Sequence, residues 1–199
     1  MEELISKQIA DKLMGAEGEA RGIALKSHAE FILKELGPEG LKRLEDTMTE
    51  IGCPIRYKEL ESMKFYPMGM EIITLLAIKK AFGFDDKKFE EIGTFGSKIS
   101  LILRIFMKYF ISIKLVANQA PNIWRKYYTV GDLKATQVDA DKKQVILKLE
   151  NFKLHPLHCI HLKGYFASVV KMVIKGNVVC QETKCPFSGD EYHEFLIKW

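Results

Sequence analysis

Residues 131–199 read GDLKATQVDADKKQVILKLENFKLHPLHCIHLKGYFASVVKMVIKGNVVCQETKCPFSGDEYHEFLIKW, and their rhythm decides the fold. Residues 132–138, and then Val145, Leu147 and Leu149 alternating with Lys148 and Glu150, follow the period of two that a half-buried strand requires. A polar turn at 139–143 separates them, which predicts a hairpin. His155-Pro156 ends the hairpin. Leu162, Phe166, Val169, Val170 and Val173 then recur at helical spacing across 157–174, until Gly176-Asn177 breaks the pattern. Two more strands are predicted at 178–183 and 192–199, joined by a loop holding Pro186 and Gly189-Asp190.

Working outward, everything upstream has helical spacing. A helix over 22–36 stops at Gly37-Pro38, where glycine suits the residue after a helix and proline can open the next one. That next helix covers 39–51 and ends at Gly52. Cys53 to Tyr57 reads as an extended link, Pro67 opens an apolar helix over 68–82, and Asp85-Asp86 caps a short one ending at Ile92. Residues 95–120 read as one long helix, because Arg104, Lys108 and Lys114 cover only about a third of its circumference at ~100° per residue. Pro121 is expected to interrupt it. The fold class is therefore α+β, a helical N-terminal half packed on one face of a four-stranded antiparallel sheet with ββαββ order.

Composition narrows the function. The chain has 199 residues, 47% hydrophobic and 28% charged, the balance of one compact domain or of two small ones sharing a core. A net charge of +4 without any basic run argues against nucleic acid as a partner. No segment has the ~18 uninterrupted apolar residues of a membrane span. The acidic, amphipathic start MEELISKQIADKL lacks the features of a secretory leader, so a cytoplasmic location is expected.

Four cysteines are too few for a disulfide scaffold, but three of them, Cys159, Cys180 and Cys185, lie near His155, His158, His161 and His193. On the predicted elements, Cys159 falls in the first turn of the last helix. Glu182 and Cys185 close the third strand, and His193 opens the fourth. Thiolate, carboxylate and imidazole are zinc ligands, and the spacing Cys-x22-Glu-x2-Cys-x7-His can supply a tetrahedral set. The helix N-terminus is expected to lower the Cys159 pKa. Other readings of the same residues stand beside this one: cysteines packed as ordinary core, a Cys180-x4-Cys185 pair, or ligation by the histidines flanking Cys159.

The stretch from Gly164 to Trp199, with Glu182-Thr-Lys-Cys185, Gly189-Asp190 and His193-Glu-Phe195, resembles the C-terminal signature of the 4-vinyl reductase (4VR) domain family. Less specifically, the resemblance takes in Phe95-Gly96 and the P-x-x-W at Pro121 to Trp124, about the last hundred residues in all. It implies a zinc site at Cys159, Glu182, Cys185 and His193, the last standing where the family's phenol- and toluene-responsive sensors have cysteine. It implies an α+β fold related to haem-based nitric-oxide sensors and vesicle-tethering subunits, homodimers, and a cavity between helices and sheet for an apolar or aromatic small molecule. The chain then divides into a helical region, 1–94, and a 4VR-like ligand-binding region, 95–199, forming one continuous unit. The residues available to line such a cavity are Ile102, Ile105, Phe106, Tyr109, Phe110, Trp124, Tyr127, Phe166 and Val170.

The expected function is a non-catalytic sensor or carrier of a small hydrocarbon with structural zinc. No serine elbow, phosphate loop or dinucleotide fingerprint occurs. The family's name offers a tetrapyrrole vinyl reductase as an alternative, but no site for a hydride source is visible. A haem sensor is the other alternative. The Tyr-x-Ser-x-Arg porphyrin clamp of that class is absent, and His28, the least implausible axial ligand, reads equally as a solvated histidine. Leu4, Ile5, Ile9 and Leu13 give the first helix an apolar face suited to dimerisation.

Overall fold

The computed structural model describes residues 5–107 and 112–199. In chain order they form α1 (Lys7–Met14), β1 (Glu19–Arg21), α2 (Gly22–Glu50), β2 (Phe65–Pro67), α3 (Met68–Phe82), α4 (Asp86–Ile99), α5 (Leu101–Met107), α6 (Ile113–Tyr127), β3 (Asp132–Asp139), β4 (Gln144–Glu150), α7 (Pro156–Lys171), β5 (Val179–Lys184) and β6 (His193–Lys198). The fold is α+β, with a helical N-terminal half and a four-stranded antiparallel sheet in the order β3-β4-β6-β5. The short strands β1 and β2 pair into a separate ribbon.

Helix boundaries follow local chemistry. Asp85 caps α4 by accepting from Lys88 N at 2.9 Å, and the His155 side chain caps α7 with Pro156 in its first turn. Gly37-Pro38 makes a kink rather than a stop: Gly37 takes φ 69°, and α2 continues beyond it. The long helix expected over 95–120 is divided. Ser100 leaves helical geometry, hydrogen bonds the buried Tyr127 hydroxyl, and accepts from Leu103 N, so α4 ends and α5 begins there. Pro121 lies inside α6 instead of ending it. The lost backbone bond is offset by the buried flank of Ala117, Ala120, Ile123 and Trp124, which continues through the proline.

Sheet register fixes what faces the helices. Val145 pairs with Ile197, Leu147 with Phe195 and Leu149 with His193, all on the buried side. α6 lies against β3, while α7 lies against β5 and β6. α7 is also pressed onto α4 at two glycines. A Cβ on Gly164 would sit 1.9 Å from the Glu90 carbonyl oxygen, and one on Gly93 would sit 2.0 Å from that of His161. Only glycine allows the two backbones to approach this closely.

One buried apolar cluster runs from Ile5 to Ile197. α1 packs on α3 with Ala10 buried and Ile9 and Leu13 against the core. The apolar face expected to dimerise is thus used within the chain, and Leu4 lies outside the described residues. Among the described residues no helix is long and apolar enough to cross a membrane.

Candidate functional site

α7 presents donor side chains on two sides. Toward the sheet, Cys159 in its first turn meets His193 at the start of β6. Glu182 stands opposite Phe195, and a bulge between Glu182 and Lys184 leads the chain to Cys185 at the same end. The ligating atoms of Cys159, Glu182, Cys185 and His193 lie within 4.8 Å of one another. Cys159 Sγ is 3.7 Å from His193 Nδ1 and 4.0 Å from Cys185 Sγ, while His193 Nδ1 is 2.7 Å from Glu182 Oε1. His193 Nε2 lies 2.6 Å from the Phe152 carbonyl, so donation there leaves Nδ1 facing the cluster. Cys180 pairs with Ile197, two residues before Glu182 on β5, and is outside this group. Burial pushes its thiol up to about 12. Burial, reinforced by Glu182 and Cys185, also holds the Cys159 thiol well above its ordinary value. The expected lowering by the helix N-terminus is therefore reversed, because desolvation and a neighbouring carboxylate outweigh the helix dipole.

On its other side α7 carries His158 and His161, which meet His28 of α2 and Glu71 of α3. All four are buried. His28 Nε2 lies 3.2 Å from His161 Nε2 and 3.9 Å from Glu71 Oε1, and His158 Nε2 lies 3.5 Å from that same oxygen. The Tyr128 hydroxyl donates to Glu71 Oε1 at 3.0 Å. Burial, with His158 adding to it, pulls His28 down to about 3. Burial, His28 and His158 hold His161 well below the usual imidazole range. Both rings are neutral at ordinary pH. The solvated reading of His28 is corrected, since α2 is enclosed by α3, α4 and α7. Sequence reasoning missed this cluster. Two signals were available: His158 and His161 at i, i+3 share one helix face, and Glu71 is a single carboxylate within the apolar run MGMEIITLLAI.

Above these histidines, α2, α4, α6, α7 and β3 enclose a void of about 40 Å³ whose walls include His28, His161, Trp124, Tyr127 and Phe166. A second void of about 40 Å³ reaches Val169 and Val170, and the two share Ile123, Leu133, Tyr165 and Phe166 as walls. Of the lining residues expected from sequence, Trp124, Tyr127, Phe166 and Val170 stand around these spaces. Ile102 is buried but lines neither, and Phe106 packs half-buried on the core. Ile105 is corrected: it is 63% exposed, because the break at Ser100 turns that face of α5 outward together with Leu101. Tyr109 and Phe110 lie outside the described residues. The contribution of α2, through Ile23, Ala24 and Ser27, was not expected.

No family model matches the sequence, and no curated protein does. Solved structures do match. An H-NOX protein from S. oneidensis in the Fe(II)NO ligation state superposes with a TM-score of 0.68 at 10% identity, over 89% of this chain and 98% of that one. A mutant Fe(II) unliganded H-NOX protein from K. algicida gives 0.65 at 11% identity, over 89% and 95%. A structure described by the modulation of heme redox potential through porphyrin distortion gives 0.62 at 11% identity, over 90% and 99%. At these identities the likeness is one of fold: this chain has the H-NOX fold.

The comparison corrects the zinc expectation. The structures sharing the fold are described by Fe(II), heme and porphyrin. The residues present do not fit a haem either. A void of about 40 Å³ is far smaller than a four-pyrrole macrocycle, and His28 points its Nε2 at His161. No lysine or arginine is buried among the described residues to meet propionates.

Proposed function

We propose that this protein is a non-catalytic binding module for a small apolar or aromatic molecule, acting as a sensor or carrier in the manner that the 4-vinyl reductase resemblance implies. The observation supporting this is the pair of adjoining voids, walled mainly by aliphatic and aromatic side chains, with His28, His161 and Tyr127 as polar handles. Their size favours a guest of a few heavy atoms up to a single ring, admitted by movement of the shared Tyr165 and Phe166. The fold favours small-molecule binding, since a structure that shares it is an H-NOX protein in the Fe(II)NO ligation state. The haem-sensor alternative shares the fold but not the space; a Soret band on titration with hemin would restore it.

Trp124 lines the cavity and serves as a reporter. Toluene should shift its fluorescence saturably and raise Tm by mass action. Ile123→Phe, which fills the wall common to both voids, should abolish both effects. If neither toluene nor phenol moves emission or Tm, the reading fails. Cys159, Glu182, Cys185 and His193 enter the proposal as a cation-binding staple between α7 and the β5–β6 hairpin, checked by elemental analysis. Homodimerisation is also part of the proposal, supported by the apolar pair Leu101 and Ile105, 58% and 63% exposed on one face of α5. A monomer at every concentration in light scattering would remove it.

A further inference from the structure

Beside the cavity, where His28 and His161 form part of its wall, buried polar groups lack the partners that burial demands. Glu71 Oε2, His28 Nδ1, His161 Nδ1 and both ring nitrogens of His158 have no hydrogen-bond partner among the described residues. A carboxylate in this setting costs several kcal/mol unless charge or hydrogen bonds offset it. The first turn of α3 and the Tyr128 hydroxyl supply part of that. No lysine or arginine is buried among the described residues to meet it. Imidazoles clustered around a buried carboxylate form a metal donor set.

We infer that His28, His161 and Glu71 bind one divalent first-row transition-metal ion, with iron(II) the ion whose protein sites most characteristically use two imidazoles and one carboxylate. One nitrogen from each histidine and one Glu71 oxygen lie within 4.8 Å of one another. With metal–ligand bonds of about 2.1 Å, neighbouring donors stand about 3 to 3.5 Å apart. The His28–His161 pair is already at that spacing at 3.2 Å, and the 3.9 Å from His28 to Glu71 closes by less than about 1 Å. A dication removes the uncompensated negative charge. His158, 3.5 Å from Glu71 Oε1, stands beside the set as a positioning group. Because His28 and His161 also form part of the cavity wall, the remaining coordination positions open onto the void. The site shares no donor with the thiol cluster across α7, and it does not depend on an apolar guest occupying the cavity.

Cobalt(II) is the probe, titrated anaerobically into the full chain carrying Cys159→Ser and Cys185→Ser so that the thiol cluster across α7 is removed. One equivalent should bind and give visible d–d bands without thiolate charge transfer. In the same background, His161→Gln and Glu71→Gln should each weaken binding by at least about tenfold. Glu71→Gln keeps an acceptor for Tyr128, and circular dichroism verifies that each variant is folded. Absence of d–d bands in the Cys159→Ser, Cys185→Ser protein, or equal affinity in folded Glu71→Gln and His161→Gln, overturns the site. The toluene response of Trp124 is read separately, so failure of the metal site and failure of the guest-binding reading are distinguished.

Discussion

The two sides of α7 carry similar donor types in different surroundings. On the sheet side, Glu182 and Cys185 are half-buried beside buried Cys159 and His193, and His193 has a hydrogen-bond partner at each ring nitrogen. On the helical side, His28, Glu71, His158 and His161 are all enclosed, and most of their polar atoms are left without partners. One cluster is satisfied at the protein edge; the other stores an unmet electrostatic demand in the core. The difference follows from what the neighbouring elements offer: strand ends and a bulge on one side, three apolar helix flanks on the other.

Acid should separate the two most strongly. The folded-state pKa values of His28 and His161 lie below the ordinary imidazole value, so the unfolded chain takes up protons that the folded chain refuses. Stability from these groups is full above about pH 6.5 and is lost as pH falls toward about 3, at up to about 1.4 kcal/mol per pH unit per histidine. Urea unfolding in the presence of chelator checks this, and His28→Gln should show a shallower slope. The Cys159 thiol, held above its ordinary value by burial, adds none there. A slope unchanged by His28→Gln would remove the distinction.

Gly164→Ala comes next. Its methyl would collide with the Glu90 carbonyl, forcing α7 from α4 and disturbing both clusters at a cost of about 3 kcal/mol, readable in the denaturation midpoint. Tyr128→Phe removes the hydrogen bond to Glu71 and touches only the helical side. It should cost about 1–3 kcal/mol without chelated metal, and the same loss in metal-saturated protein would show that no ion takes over that charge. The smallest expected effect is at the sheet end: Cys185→Ser should lower Tm about 2–4 °C more than Cys180→Ser. Equal shifts would exchange the roles of the two cysteines.

Much of the C-terminal half was legible because alternation in β4 and the turn at 139–143 are strong local signals. The β1–β2 ribbon was not, since each strand has only three residues and no periodicity to read. Nor was the break at Ser100, which depends on a tertiary hydrogen bond to Tyr127. Cys159, Glu182, Cys185 and His193 were legible as a group because uncommon donor types cluster on three consecutive elements. The direction of the Cys159 shift was not, because burial is set by packing. Glu71 escaped notice for the opposite reason: a carboxylate is ordinarily assigned to solvent, and only the assembled helices show it enclosed.

His158 and Cys159 are adjacent in sequence, so consecutive rungs of α7 point into different chambers. The helix works as a common axle. With its backbone seated directly on that of α4 through Gly93 and Gly164, it has no cushion of side chains there to absorb a twist, and any rotation that retunes one chamber must be felt in the other.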